Sequence, residues 1–161
     1  GLLSSLKGSD KLLQLSEITD QAIKIMIVGQ PNDAKSVEVF EQLKTKSNIV
    51  LKGRLNHEEA LDLVSKSKAL INTSNFEGFP NVFLEAWALG IPVISLKVNP
   101  GNVFTNFRLG VCCDGSLEMM KRSIENNVTA TIDKNVLQEY IRNFHEFNTA
   151  GDRFLNALHK A

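Results

Sequence analysis

The chain has 161 residues, 43% of them hydrophobic and 22% charged, which suits one soluble globular domain with a sizeable core. Eighteen Lys plus Arg balance eighteen Asp plus Glu, so no net field draws it to nucleic acid or to an anionic membrane surface. No apolar run approaches the roughly 18 to 20 residues that span a bilayer, and the first residues lack the charged-then-apolar pattern of a signal peptide.

In chain order, a helix begins near Ser9 or Asp10, with Leu12, Leu13 and Leu15 as its buried stripe. The β-branched, apolar residues 23–28 form a strand, ended by the turn residues Gly29, Gln30, Pro31 and Asn32. Residues 36–45 make a second helix with Val37, Phe40 and Leu43 at helical spacing, and residues 49–52 a strand that stops at Gly53. Asn56 caps the next helix, whose Glu58 and Glu59 suit the positive end of its dipole and whose Ala60, Leu63 and Val64 face inward.

A short strand over residues 69–72 leads to a loop from Thr73 to Phe79. Pro80 then opens a helix that Gly90 closes, the usual asymmetry of helix ends. Residues 92–95 are the following strand, residues 98–106 a loop containing the turn Asn99-Pro100-Gly101-Asn102, and residues 110–113 a last short strand. Helices are expected over residues 117–126, 135–147 and 152–160, the first with Lys121 and Arg122 on a solvated face. The two cysteines, Cys112 and Cys113, are adjacent, so they read as core filler in a reduced, cytoplasmic setting. Strands alternating with helices point to an α/β fold, a Rossmann-like doubly wound parallel sheet flanked by helices, with ligands at the carboxyl ends of the strands.

The helix opened by Pro80 is apolar on nearly every side, and Glu85 is its only charge. A buried carboxylate is costly without donors. Two sources fit: an intramolecular partner such as Arg54, Arg108 or a backbone amide, or the two hydroxyls of a ribose. The preceding loop favours an anionic ligand, because Gly78, Phe79 and Asn81 bring backbone N–H groups to a helix N-terminus. Glu77 sits at the mouth of that site, eight positions before Glu85, and Ser74 is expected to brace the loop. Phe76, Phe79, Phe83 and Trp87 read as packing rather than as a platform for a base. His57, His145 and His159 lie on or beside helices with no chemistry assigned to them, and no Asp-x-Asp motif for a metal-bound diphosphate occurs.

The string EGFPNVFLEAWALGIPVIS, Glu77 to Ser95, closely resembles the E-x7-E region of retaining, family 4 (group 1) glycosyltransferases of the GT-B fold. The order of Lys7-Gly8, Gly29, Gly53-Arg54 and the C-terminal helices also resembles the donor-binding second domain of that family, so the likeness covers essentially the whole chain.

The resemblance implies that Glu85 accepts from the donor's ribose and that Glu77 contacts hydroxyls of the transferred sugar. The amides of Phe79, Asn81 and Val82, around Pro80 and Gly78, would hold the diphosphate or sugar. Gly53, Arg54 and Leu55 would lie against the base, and Lys7 matches the lysine that grips the pyrophosphate. The family commonly has an arginine five positions before that lysine, where this chain has Leu2, which cannot supply a guanidinium fork.

The expected parent is thus a two-domain enzyme moving a sugar from a nucleoside diphosphate to an acceptor, in polysaccharide or lipopolysaccharide synthesis. It would need no metal or other cofactor, and its N-terminal acceptor domain, with any catalytic histidine and any peripheral membrane contact, would lie outside this chain. Two other readings keep the fold: a sugar-nucleotide epimerase or hydrolase, and a nucleotide-sugar-binding module without turnover.

Overall fold

The computed structural model describes residues 2–145, which alternate short strands with helices, and every strand pairing is parallel. A two-residue strand β1 (Leu2–Leu3) is followed by α1 (Ser9–Ile18), β2 (Ile25–Val28), β3 (Gln30–Pro31) and α2 (Ala34–Lys44). Next come β4 (Ile49–Gly53), α3 (His57–Ser65), β5 (Leu70–Asn72), α4 (Asn81–Ala88) and β6 (Val93–Ser95). The described part ends with α5 (Val103–Phe107), β7 (Gly110–Cys112), α6 (Leu117–Glu125) and α7 (Lys134–Phe144), with short 3-10 turns at Pro100–Asn102 and Val128–Thr131.

The class is the mixed α/β arrangement expected, with helices flanking parallel sheets, but the ladders fall into three pieces. β2 pairs with β4, β5–β6–β7 form a three-stranded sheet, and β1 pairs with β3. Between β2 and β5, neither of which bonds the other, lies an apolar slot of about 790 Å³.

Sequence signals explain most of the element ends. Asn56 accepts from the Glu59 N–H while the Glu59 carboxylate accepts from the Asn56 N–H at 2.8 Å, a complete capping box at the start of α3. Helix α2 starts two residues earlier than expected, because Asp33 caps it: its Oδ1 accepts from the Ser36 N–H at 2.7 Å.

The core gathers around α4. Phe83, Ala86 and Trp87 are fully buried against Val93, Phe104, Leu109, Leu137 and Tyr140, and the Trp87 indole N–H donates to the Leu109 carbonyl at 2.9 Å. A second cluster joins Leu12, Ile25, Ile27, Val39 and Leu43, and a third joins Leu15, Ile94, Leu96, Cys113 and Met120. Burial pushes the Cys113 thiol up to about 11, in keeping with a core filler.

Several expectations are corrected. Val37 is exposed, and the inward stripe of α2 runs instead through Ser36, Val39 and Leu43, which share one face at helical spacing. Gln30 and Pro31 are a strand rather than part of a turn, since β1 offers them a partner. Within residues 98–106, Val103 and Phe104 begin a helical turn that buries both side chains. Helix α7 ends at Phe144, and the helix expected over residues 152–160 lies outside the described residues. Ala60, Leu63 and Val64 do face inward, yet none is fully buried, because they border the open slot.

Removing the central indole should therefore be severe. Trp87→Ala is expected to cost about 3–5 kcal/mol in urea unfolding, from the volume lost at the centre of the core, while the Leu109 carbonyl keeps the Val93 N–H as a donor.

Candidate functional site

The site lies where α4 begins, at the carboxyl ends of β4, β5 and β6, and the loop before α1 reaches it from the other side. That loop is tied down at three points. The Ser5 N–H donates to the Asp33 carboxylate at 3.1 Å, the Lys7 N–H donates to Ser4 Oγ at 3.2 Å, and the Thr73 hydroxyl donates to the Lys7 carbonyl at 3.1 Å. Gly8 adopts φ +71°, and a Cβ on it would fall 2.0 Å from the Thr73 carbonyl oxygen, so only glycine permits this approach.

As a result Lys7 Nζ stands 3.0 Å from Glu77 Oε2. The other carboxylate oxygen, Oε1, accepts from Ser74 Oγ at 2.5 Å and from Asn72 Nδ2 at 3.3 Å. Asn72 in turn accepts from the Ser74 N–H at 3.2 Å, so the end of β5 and its loop form a small polar frame beneath Glu77. Burial pushes the Glu77 carboxyl up, but the Ser74 hydroxyl, Lys7 and the Asn72 amide outweigh it and hold the group below the ordinary glutamate range. Ser74 braces the loop as expected, whereas Asn72 was not singled out in the sequence; its signal was a polar residue ending an apolar strand.

Glu85 lies one face further along α4. The helix is not buried all round: Asn81, Val82 and Ala88 are exposed, and the Glu85 side chain is 37% exposed. Neither Arg54 nor Arg108 reaches Glu85. The carboxylate accepts no hydrogen bond among the described residues, and its nearest basic group is His57 Nδ1 at 3.9 Å. His57 is the first residue of α3 and 70% exposed, and the sequence reading passed over it as one of three scattered histidines. Its place just past the Gly53–Leu55 turn was the available clue.

The start of α4 is open. Pro80 is buried and occupies the position before the first helical residue, one earlier than expected; no side chain caps the helix, and the Phe83 N–H bonds back to the Pro80 carbonyl at 3.0 Å. The N–H groups of Asn81 and Val82 have no intrahelical acceptor. Gly78 is exposed with open space around its α-carbon, which leaves room for a ligand against the backbone.

Phe83 and Trp87 are core, and Phe79 packs edge-on to Trp87 at 6.2 Å, but Phe76 is 88% exposed and so is no packing residue among the described ones. Phe76 and Glu77 line a second cavity, of about 240 Å³, with Lys97, Asn99 and Pro100 on its far wall. Arg54 is exposed on the turn after β4 and makes no ion pair among the described residues, while Leu55 is half-buried there. Leu2 lies in β1. His145 packs against Phe79 at 5.4 Å, and His159 lies outside the described residues. The described residues hold no cluster of His, Cys, Asp or Glu able to bind a metal ion, and none of their helices is long and apolar enough to cross a membrane.

Comparison with known proteins gives consistent matches. A family model described as "Glycosyl transferases group 1" matches residues 1–144. Among solved structures, Anabaena Alr3699/HepE in complex with UDP aligns with TM-score 0.75 at 16% identity, over 100% of this chain and 47% of that one. A point mutant of S. aureus TarM in complex with fondaparinux, alpha-GlcNAc-glycerol and UDP aligns with TM-score 0.76 at 20% identity, over 97% and 34%. The lipopolysaccharide outer core galactosyltransferase WaaB, in its apo form, aligns with TM-score 0.74 at 23% identity, over 99% and 47%. The chain thus spans less than half the length of each of these structures. No curated protein matched it.

The Glu77 frame sets a pH dependence. A carboxyl held below its unfolded value contributes stability in full above the ordinary glutamate range and loses it as pH falls through the folded value. Ser74→Ala should move the Glu77 titration upward in carbon-13 NMR and bring the acid loss of stability to higher pH. An unmoved titration would mean that the hydroxyl does not hold the carboxylate.

Proposed function

The chain belongs to the group 1 glycosyl transferases, and from that premise we propose that it is the nucleotide-sugar-binding half of an enzyme that transfers a sugar to an acceptor with retention of configuration. The observation that carries this reading is the convergence, at one helix N-terminus, of a cation, two carboxylates and free backbone N–H groups: Lys7, Glu77, Glu85, and the amides of Asn81 and Val82.

Each group then has a physical task. The diphosphate sits at the start of α4, where the helix dipole and the amides of Phe79, Asn81 and Val82 oppose its charge, with Gly78 and Pro80 shaping the backbone around it. Lys7 turns from Glu77 to the phosphates, so that a positive charge stands where negative charge develops as the sugar leaves. Glu77, released from Lys7 but still held by Ser74 and Asn72, accepts from hydroxyls of the transferred sugar. Glu85 lacks an internal donor, which suits it to accept both ribose hydroxyls. The base lies against Gly53, Arg54 and Leu55.

Arg54 stands free to add a second cation in place of the arginine that Leu2 replaces. This scheme requires no metal and no other cofactor. The acceptor groups come from a second, N-terminal domain, and the site closes between the two, so the present 161 residues bind donor weakly and turn over little. Assembly of a cell-envelope polysaccharide or lipopolysaccharide at the inner face of the membrane is the setting we propose, with UDP as the first nucleotide to test, since it is bound in two of the similar structures.

Calorimetric titration with UDP, GDP and ADP provides the test. One nucleotide should bind, and Glu85→Ala should weaken it at least tenfold while leaving thermal stability nearly unchanged, since no internal hydrogen bond is lost. Equal affinity in the variant would remove Glu85 from the site and the ribose assignment with it.

A further inference from the structure

Glu85 and His57 stand beside each other without bonding. We propose that the gap between them seats the 2′-hydroxyl of the donor's ribose, and that His57 is the residue by which the site tells a ribonucleotide from its 2′-deoxy counterpart. This inference rests on the ribose placement at Glu85 proposed above, and adds to it a second side chain and a selectivity.

The first reason is a distance. His57 Nδ1 is 3.9 Å from Glu85 Oε1. That is too long for a hydrogen bond between the two, yet it is the span that one oxygen atom bridges with two bonds of about 2.8 Å meeting at roughly a right angle. A hydroxyl placed there donates its proton to the carboxylate and accepts from the imidazole N–H, so both of its capacities are used. Neither side chain gives up a partner to take it, since among the described residues the Glu85 carboxylate accepts no hydrogen bond and the His57 ring makes none.

The second reason is that the gap is set by the fold and not by the pair. His57 is the first residue of α3, and the reciprocal bonds of Asn56 and Glu59 fix the start of that helix. Helix α3 packs beside α4, with Val64 against the cluster that contains Phe83, Ala86 and Trp87, and Glu85 lies on α4 among those residues. Both side chains are largely open to solvent, where a contact of this kind holds little by itself. The spacing therefore exists before any ligand arrives, which spares a bound hydroxyl the cost of assembling its partners.

The third reason selects the hydroxyl. Helix α3 begins just after the Gly53–Leu55 turn proposed for the base, whereas the phosphates are placed at the start of α4, on the other side of Glu85. His57 thus stands on the base side of the carboxylate. The ribose 2′-carbon adjoins the carbon that bears the base, and the 3′-carbon adjoins the one that leads to the phosphates. The 2′-hydroxyl accordingly falls between His57 and Glu85 Oε1, and the 3′-hydroxyl is left to the other carboxylate oxygen. A site that bonds a hydroxyl discriminates against the analogue without it, because its own groups lose their partner.

The test is calorimetric titration of the chain with UDP, GDP and ADP, each beside its 2′-deoxy form, and with inorganic pyrophosphate. The nucleotide that binds should do so about tenfold more tightly than its deoxy form. His57→Ala should weaken the ribonucleotide about tenfold while leaving the deoxy form and pyrophosphate unaffected, so that the preference disappears. His57→Asn, which returns an N–H donor near the place of Nδ1, should restore part of it. Equal losses for the ribo and deoxy forms in His57→Ala would overturn the proposal, because they would assign the ring to the base or to the helix start. Unchanged ribonucleotide affinity in His57→Ala, with Glu85→Ala still weakened, would overturn it and spare the ribose placement. If no nucleotide binds the unaltered chain, or if Glu85→Ala binds as well as that chain, the ribose placement itself fails and this inference falls with it.

Discussion

The contact on which the site depends is the packing of Gly8 against the Thr73 carbonyl. It joins the loop before α1 to the loop after β5, two stretches far apart in sequence, at a separation that leaves no room for a Cβ. The Thr73 hydroxyl reinforces it by donating to the Lys7 carbonyl, and Asp33 holds the same loop from its other side through Ser5 while also capping α2. Lys7 is therefore placed by backbone constraint rather than by its own flexible stem. Its ion pair with Glu77 is a consequence of that placement and not its cause.

This division of labour matters because the ion pair itself is soft. Lys7 is about half exposed, and pairs of that kind contribute only about 0–1 kcal/mol. On the proposed reading a pair so weak would be exchanged for a doubly charged phosphate, while the frame of Asn72 and Ser74 would keep Glu77 in place after the lysine turned away. Beneath the site the opposite holds. Phe83, Ala86 and Trp87 are fully buried, and the indole N–H is satisfied, so the helix that presents its open N-terminus is fixed by its other face. Rigidity below and exchangeable charge above is the arrangement expected of a binding site that must take up and release an anion.

Much of this was legible in the sequence. The apolar runs around Ile27, Leu51, Ile71 and Ile94 marked the strands, Asn56 marked its cap, and the spacing of Glu77 and Glu85 on either side of Pro80 pointed to the candidate site that we propose. What was hidden had physical causes. The partner of Glu77 comes from residue 7, and Gly8 signals that contact only by lacking a side chain. Glu85 was expected to be buried because its helix is apolar in composition, but hydrophobic content does not say which face the core takes, and Val82 and Glu85 fall on the open one. His57 became a neighbour of Glu85 only through the packing of α3 beside α4. The broken sheet was invisible as well, since the pattern of a strand reports that it is apolar on both faces and not whether both edges are bonded.

The account's central claim is that the start of α4, together with Lys7 and Glu77, receives the diphosphate. The most direct measurement is nitrogen-15 NMR of the chain during titration with inorganic pyrophosphate, following the backbone amides of Asn81 and Val82 and the side-chain amine of Lys7. The account predicts that these three signals shift together and saturate at one concentration, as Lys7 leaves Glu77 and the anion settles on the free N–H groups. Saturable shifts confined to other residues, with Asn81, Val82 and Lys7 unmoved, would contradict it.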